Sequence, residues 1–121
     1  MLARLLLAGL AVLAAVAGVR GLRADDRCAD VKDTASTAPR GELPAIARET
    51  AERCGDPRDR VVVAVVLVAR KHRPDAVALT RRMTRDDPQD YLGWLALWRL
   101  TREPAALAHA RALNPRGTPR A

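Results

Sequence analysis

Two tetrapeptides of one form, Asp56-Pro57-Arg58-Asp59 and Asp87-Pro88-Gln89-Asp90, each head an apolar stretch and stand thirty-one residues apart. An aspartate at an N-cap accepts a hydrogen bond from a free amide of the first turn. A proline just after it has no amide to leave unpaired. A second aspartate three positions on can reach back to the cap's own N–H. The pair therefore predicts two helix starts, and a start signal recurring near every thirty residues predicts repeated helical hairpins. The side chains agree: the apolar supply is Ala, Val and Leu, with no Phe, one Tyr and two Trp. Small side chains suit closely packed helices, whereas sheets favour β-branched and aromatic residues in alternation. No such alternation is present, and the expected class is all-α.

At 121 residues the chain has room for one small domain behind an N-terminal segment. The segment is defined by Leu5–Val19, fifteen apolar residues in a row, preceded by Arg4. A spanning helix needs about 17–25 residues and a signal-peptide core about 7–15, so the run sits at the boundary. Ala15-Val16-Ala17 offers the small-x-small pattern of a cleavage site. Snorkelling by Arg4 would let Leu2 and Ala3 join the span, which favours an uncleaved anchor. Residues 1–22 are thus expected to be a transmembrane anchor or signal segment, 24–115 a helical domain, and 116–121 a disordered tail.

Orientation is read in two opposed ways. Arg20, Arg23, Arg27 and Lys32 follow the run while Arg4 alone precedes it, which by the positive-inside rule places the domain in the cytoplasm. The cysteines argue for the outside. Cys28 and Cys54 are the only two and have no Cys-x-x-Cys spacing. Cys28 falls near the start of a first soluble helix and Cys54 at the end of the next, and these ends adjoin in an antiparallel hairpin. A bridge there requires an oxidising compartment.

Along the chain, Ala24–Asp33 is expected to be helical, Thr34–Gly41 a loop, and Glu42–Arg53 a helix stopped by Gly55. Asp56 opens a helix whose centre, Val61–Ala69, is nine apolar residues without a break, so it is expected to be buried on most sides in the middle of the bundle. Asp75 is expected to cap a helix to about Arg85, with Ala76, Leu79 and Met83 on its buried face. Asp87 restarts the chain into Tyr91–Leu100, and Glu103-Pro104 opens a last short helix ending at Asn114-Pro115.

The net charge of +7 rests almost wholly on arginine. Arg70, Lys71 and Arg73 with Arg81, Arg82 and Arg85 form a basic patch. Read functionally it would meet anionic lipid or an acidic partner; the simpler reading is a solvated helix face. Nucleic acid is disfavoured, because no aromatic-interleaved reader motif accompanies the arginines. Tyr91, Trp94 and Trp98 fall on one helical stripe, suited to a core or to anchoring a peptide. His72 and His109 are isolated, no two potential metal ligands stand at a ligand spacing, and no nucleophile–base set is visible. No metal, cofactor or catalytic activity is expected.

The hairpins resemble the tetratricopeptide repeat. In the unit Arg60–Pro88, Val63, Ala64 and Leu67 match the first-helix packing positions, Ala76, Thr80 and Met83 the second, and Pro88 closes it. In the next unit Trp94 and Leu97 fit W-x2-L, while Trp98 stands where Gly is usual and Thr101 where Tyr is usual. The resemblance implies a right-handed superhelical array whose inner face holds a peptide or partner helix. It assigns partner binding to Ala64, Leu67, Ala76, Trp94 and Trp98. The expectation is a non-enzymatic, membrane-anchored interaction module of a bacterial envelope, its domain extracytoplasmic, its partner an envelope protein or peptide, with oligomers allowed. The alternatives are a secreted form after cleavage, or a cytoplasm-facing basic adaptor for anionic lipid or nucleic acid.

Overall fold

The computed structural model describes residues 27–120; the expected anchor, residues 1–22, lies outside them. All regular structure among the described residues is helical, as the composition predicts. Helix α1 covers 27–37, and a 3-10 turn at Arg40–Glu42 leads into α2 (Leu43–Arg53). Then follow α3 (Pro57–Ala69), α4 (Arg73–Asp86), α5 (Tyr91–Thr101) and α6 (Pro104–Leu113). Among these residues no helix is long and apolar enough to cross a membrane.

Side-chain bonds give the helix directions. Cys28 in α1 is bonded to Cys54 at the end of α2, so these two run antiparallel. Lys32 reaches Asp59 at the start of α3, while Arg70 just past its end donates to the Ala35 and Ala38 carbonyls, so α1 and α3 run parallel. Arg60 early in α3 pairs with Asp86 at the end of α4, and Arg73 opening α4 donates to the Leu100 carbonyl late in α5. The result is alternation: α1, α3 and α5 point one way, α2 and α4 the other. Helix α4 packs on α2, α3 and α5, and α3 also touches α5 across the inner row.

Local chemistry explains most boundaries. Asp56 accepts from the Arg58 amide at 2.9 Å and Pro57 occupies the first helical position, as the sequence predicts. Asp59, however, does not reach back to the cap, because Lys32 takes its carboxylate at 2.7 Å. The second Asp-Pro is not a helix start. Asp87 Oδ1 accepts from the Gln89 amide and the Asp90 amide bonds the Asp87 carbonyl, which makes a proline turn. Asp90 is the real cap, accepting from the Leu92 and Gly93 amides at 3.2 and 3.0 Å. The caps Asp56 and Asp90 are 34 residues apart, not thirty-one.

Two further boundaries shift. Helix α1 continues to residue 37 through the expected loop, with Thr34 Oγ1 bonding the Asp30 carbonyl and Ala35 and Ala38 buried. Helix α4 starts at Arg73, not at Asp75; His72 is the cap, and its Nδ1 lies 3.1 Å from the Asp75 carboxylate. Beyond α6 the chain folds back: the Tyr91 hydroxyl donates to the Gly117 carbonyl and Thr118 Oγ1 to Asn114 and Ala110.

The core runs from Val31 and Ala35 through Leu43, Ile46 and Ala47 to Val63, Leu67, Ala76 and Leu79. Burial recurs at the cap spacing: Ile46 and Thr80, Thr50 and Thr84, Val63 and Leu97, Ala76 and Ala110 are buried pairs 34 residues apart. The buried threonines keep their hydroxyls paired within their own helices, Thr50 to the Ile46 carbonyl and Thr80 to Val77. The Cys28–Cys54 bridge, with α-carbons 4.9 Å apart, closes the first hairpin. For a loop of this length such a bridge contributes about 3.5 kcal/mol, a large share of a small domain's stability.

Candidate functional site

Helix α3 is apolar from Val61 to Ala69, yet only Val63, Ala64 and Leu67 are buried. Val62 is 51% exposed and Val65 62%, the two large apolar side chains left in solvent among the described residues. The expectation that α3 would be buried on most sides is therefore corrected. It lies in the inner row between α1 and α5, with Val66 and Val68 partly packed on the core, and nothing described covers Val62 and Val65. The face continues onto α5, where Leu92, Leu95 and Ala96 are half-buried.

Between the two parallel helices lies a groove of about 330 Å³, lined by Val61, Ala64, Val65, Val68 and Ala69 from α3 and by Ala96, Arg99 and Leu100 from α5. The small side chains Ala64 and Ala96 form a low floor, and valines with Leu100 form the walls. No acidic side chain lines it. Such a concave, mostly apolar site fits an aliphatic side chain or helix ridge, not a polar small molecule.

Of the five residues assigned to partner binding, Ala64 is in the groove floor. Leu67 and Ala76 lie fully buried in the core with it and offer no surface. Trp94 and Trp98 are on another side of α5. Trp94 stacks on His109 of α6, ring centroids 4.0 Å apart, and donates its indole N–H to the Pro88 carbonyl at 2.8 Å. The Arg102 guanidinium lies over Trp98, 4.5 Å from the ring centroid, a cation–π contact. The aromatic stripe thus packs the last hairpin, and the groove is aliphatic. The nine-residue apolar run was the signal for it: a helix without a polar face has more to cover than one neighbour can.

The six basic residues do not share one surface. Arg70 holds the end of α1 through two carbonyls, and Arg73 bonds the Leu100 carbonyl at 2.7 Å. Arg81 forms a fork with the Glu103 carboxylate, which holds Glu103 below the ordinary carboxylate range and raises Arg81. Arg82 stands 3.6 Å from Asp86. Arg82 and Arg85 line, with Arg48, a second cleft of about 260 Å³ between α2 and α4, where Asp75 also lies. Lys71, in a left-handed conformation (φ 62°), projects from the turn after α3.

Sequence reasoning passed over Arg60. Its guanidinium donates to the Cys54 and Ala51 carbonyls at 2.6 and 2.7 Å and pairs with Asp86 at 3.1 Å, joining the ends of α2 and α4 to the start of α3. Lys32, raised above its ordinary pKa first by its hydrogen bond to Asp59, ties α1 to the same end. Among the described residues no group of three or more His, Cys, Asp and Glu side chains is placed to hold a metal. No family model matches the chain, and neither do curated proteins nor solved structures.

Proposed function

We propose that this chain is a tetratricopeptide-like binding module, held at a bacterial cytoplasmic membrane by its N-terminal segment, whose inner row of helices docks an envelope protein. The observation that carries the reading is the uncovered aliphatic face of α3 with its groove against α5. Covering Val62 and Val65 would contribute about 2 kcal/mol to any complex. Cap and burial spacings of 34 residues equal the period of that repeat, and the alternation of helix directions is the arrangement that stacked hairpins make. Leu5–Val19 supports the anchor, and the Cys28–Cys54 bridge supports an extracytoplasmic domain. The groove replaces the aromatic stripe as the proposed binding element.

Two measurements test the reading. Alkaline phosphatase fused to the C-terminus should be active and a cytoplasm-dependent fluorescent protein dark; the reverse pattern would move the domain to the other side. A photo-crosslinking residue at position 65 should give one adduct of defined mass in cells, while the same residue at position 48, on the α2–α4 side, gives none. Equal labelling from both positions, or none from 65, would remove the binding assignment.

A further inference from the structure

The groove has a charge character as well as a shape. Arg99 lines it at the carboxyl end of α5, and the Arg73 guanidinium sits at the carbonyl of Leu100, a wall residue. Lys71 projects from the turn that ends α3. At the other end Arg58 heads the stripe that continues through Val62, Val65 and Ala69, but Asp56 and Asp59 flank it and Asp90 opens α5 there. None of these four cations has an ion-pair partner among the described residues. Among the described residues, the aliphatic floor is thus closed at the carboxyl end of α3 and α5 by cations without an ion-pair partner, Arg99, Arg73 and Lys71.

This pattern selects among occupants. A second copy docked face to face with its carboxyl ends aligned would bring Arg73 and Arg99 of both chains together, and no acidic side chain lines the groove to offset them, so that pairing is opposed. A flat anionic bilayer would reach the exposed tips of Val62 and Val65 but not the floor at Ala64 and Ala96. A floor of alanines between valine walls is a hole for a knob, the complement of a helix ridge with Leu-sized side chains.

We propose that the α3–α5 groove binds an amphipathic helix whose apolar stripe carries leucine-sized side chains and whose flanks carry carboxylates. Those carboxylates meet Arg99 and Arg73 at the carboxyl end of the two helices. The proposal rests on the binding-module reading above and specifies its partner's chemistry.

The test uses the full chain with its disulfide intact. The probe is a fluorescein-labelled peptide of about 18 residues, with Leu at i, i+3, i+4 and i+7 and Glu on its flanks. A twin carries Lys for Glu, and phosphatidylserine-containing phosphatidylcholine vesicles form a third arm. The Glu peptide should bind about tenfold or more tighter than the Lys twin, and Val65→Asp should weaken it about tenfold with an unchanged melting curve. Arg99→Glu should cost about fivefold or more, while Arg48→Glu, the same charge change on the α2–α4 side, stays within about twofold. Equal losses from Arg48→Glu and Arg99→Glu would reduce the effect to net charge and overturn the proposal. So would vesicle binding that depends on Val65 without peptide binding, which would assign the face to lipid. Failure of crosslinking at position 65 removes the binding module itself; a peptide held without charge preference removes only the chemistry proposed here.

Discussion

Helices α3 and α4 are neighbours of similar length that meet the same burial requirement with opposite sequences. Helix α4 supplies one stripe, Ala76, Leu79 and Met83, buries it, and turns Arg81 and Arg85 to solvent. Helix α3 buries a stripe of the same size, Val63, Ala64 and Leu67, but carries valine on its other sides as well. Val66 and Val68 of α3 pack partly against the same core, and Val62 and Val65 are what remains exposed. Among the described residues nothing covers Val62 and Val65, and Val65 lies where α5 turns this side of α3 into a groove. This is the aliphatic face that the proposed docking would cover.

The largest effects should come from the two buried stripes, and they should be alike. Leu67→Ala and Leu79→Ala should each cost about 3 kcal/mol in urea unfolding, because both side chains are enclosed. A much smaller loss at Leu67 would mean that α3 is not packed as described. Arg60→Ala should cost about 2 kcal/mol, since it frees two carbonyls at the end of α2 and an ion pair to α4. Its loss should loosen the hairpin junction without touching the groove, which amide exchange in α3 and α5 would report.

Much of this architecture was legible in the chain. Asp56-Pro57, the α4 stripe, the cysteine pair and the all-helical class are local signals that tertiary structure did not override. The second helix start was not legible, because Asp87 and Asp90 are equally good caps by chemistry. In the structure Asp87 bonds the Gln89 amide within the proline turn, and Asp90 bonds the Leu92 and Gly93 amides that open α5. The groove was hidden for a related reason. Nine apolar residues in a row state that a helix has much to bury but not which side its neighbours reach, and α5 covers only part of α3.

Smaller effects sharpen the contrast at the turns. Lys71→Gly should raise stability by about 0.5–1 kcal/mol, because a lysine at φ 62° is held in a region that glycine adopts freely. Denaturant midpoints would check this. The Arg81–Glu103 fork should give an acid-side dependence. The folded pKa of Glu103 lies below its unfolded value, so its contribution is present above the ordinary carboxylate range and is lost as pH falls through the depressed value. Glu103→Gln should flatten that slope, read as unfolding midpoints between about pH 6 and pH 2. An unchanged slope would place the acid sensitivity in other carboxylates.

The most direct measurement is urea unfolding of the double variant Val62→Ser, Val65→Ser. With both valines on a face that no described residue covers, the free energy of unfolding should stay within about 0.5 kcal/mol of the parent. A loss of about 2 kcal/mol or more, the size seen when core side chains are removed, would make them part of the protein's own interior and leave no groove to fill.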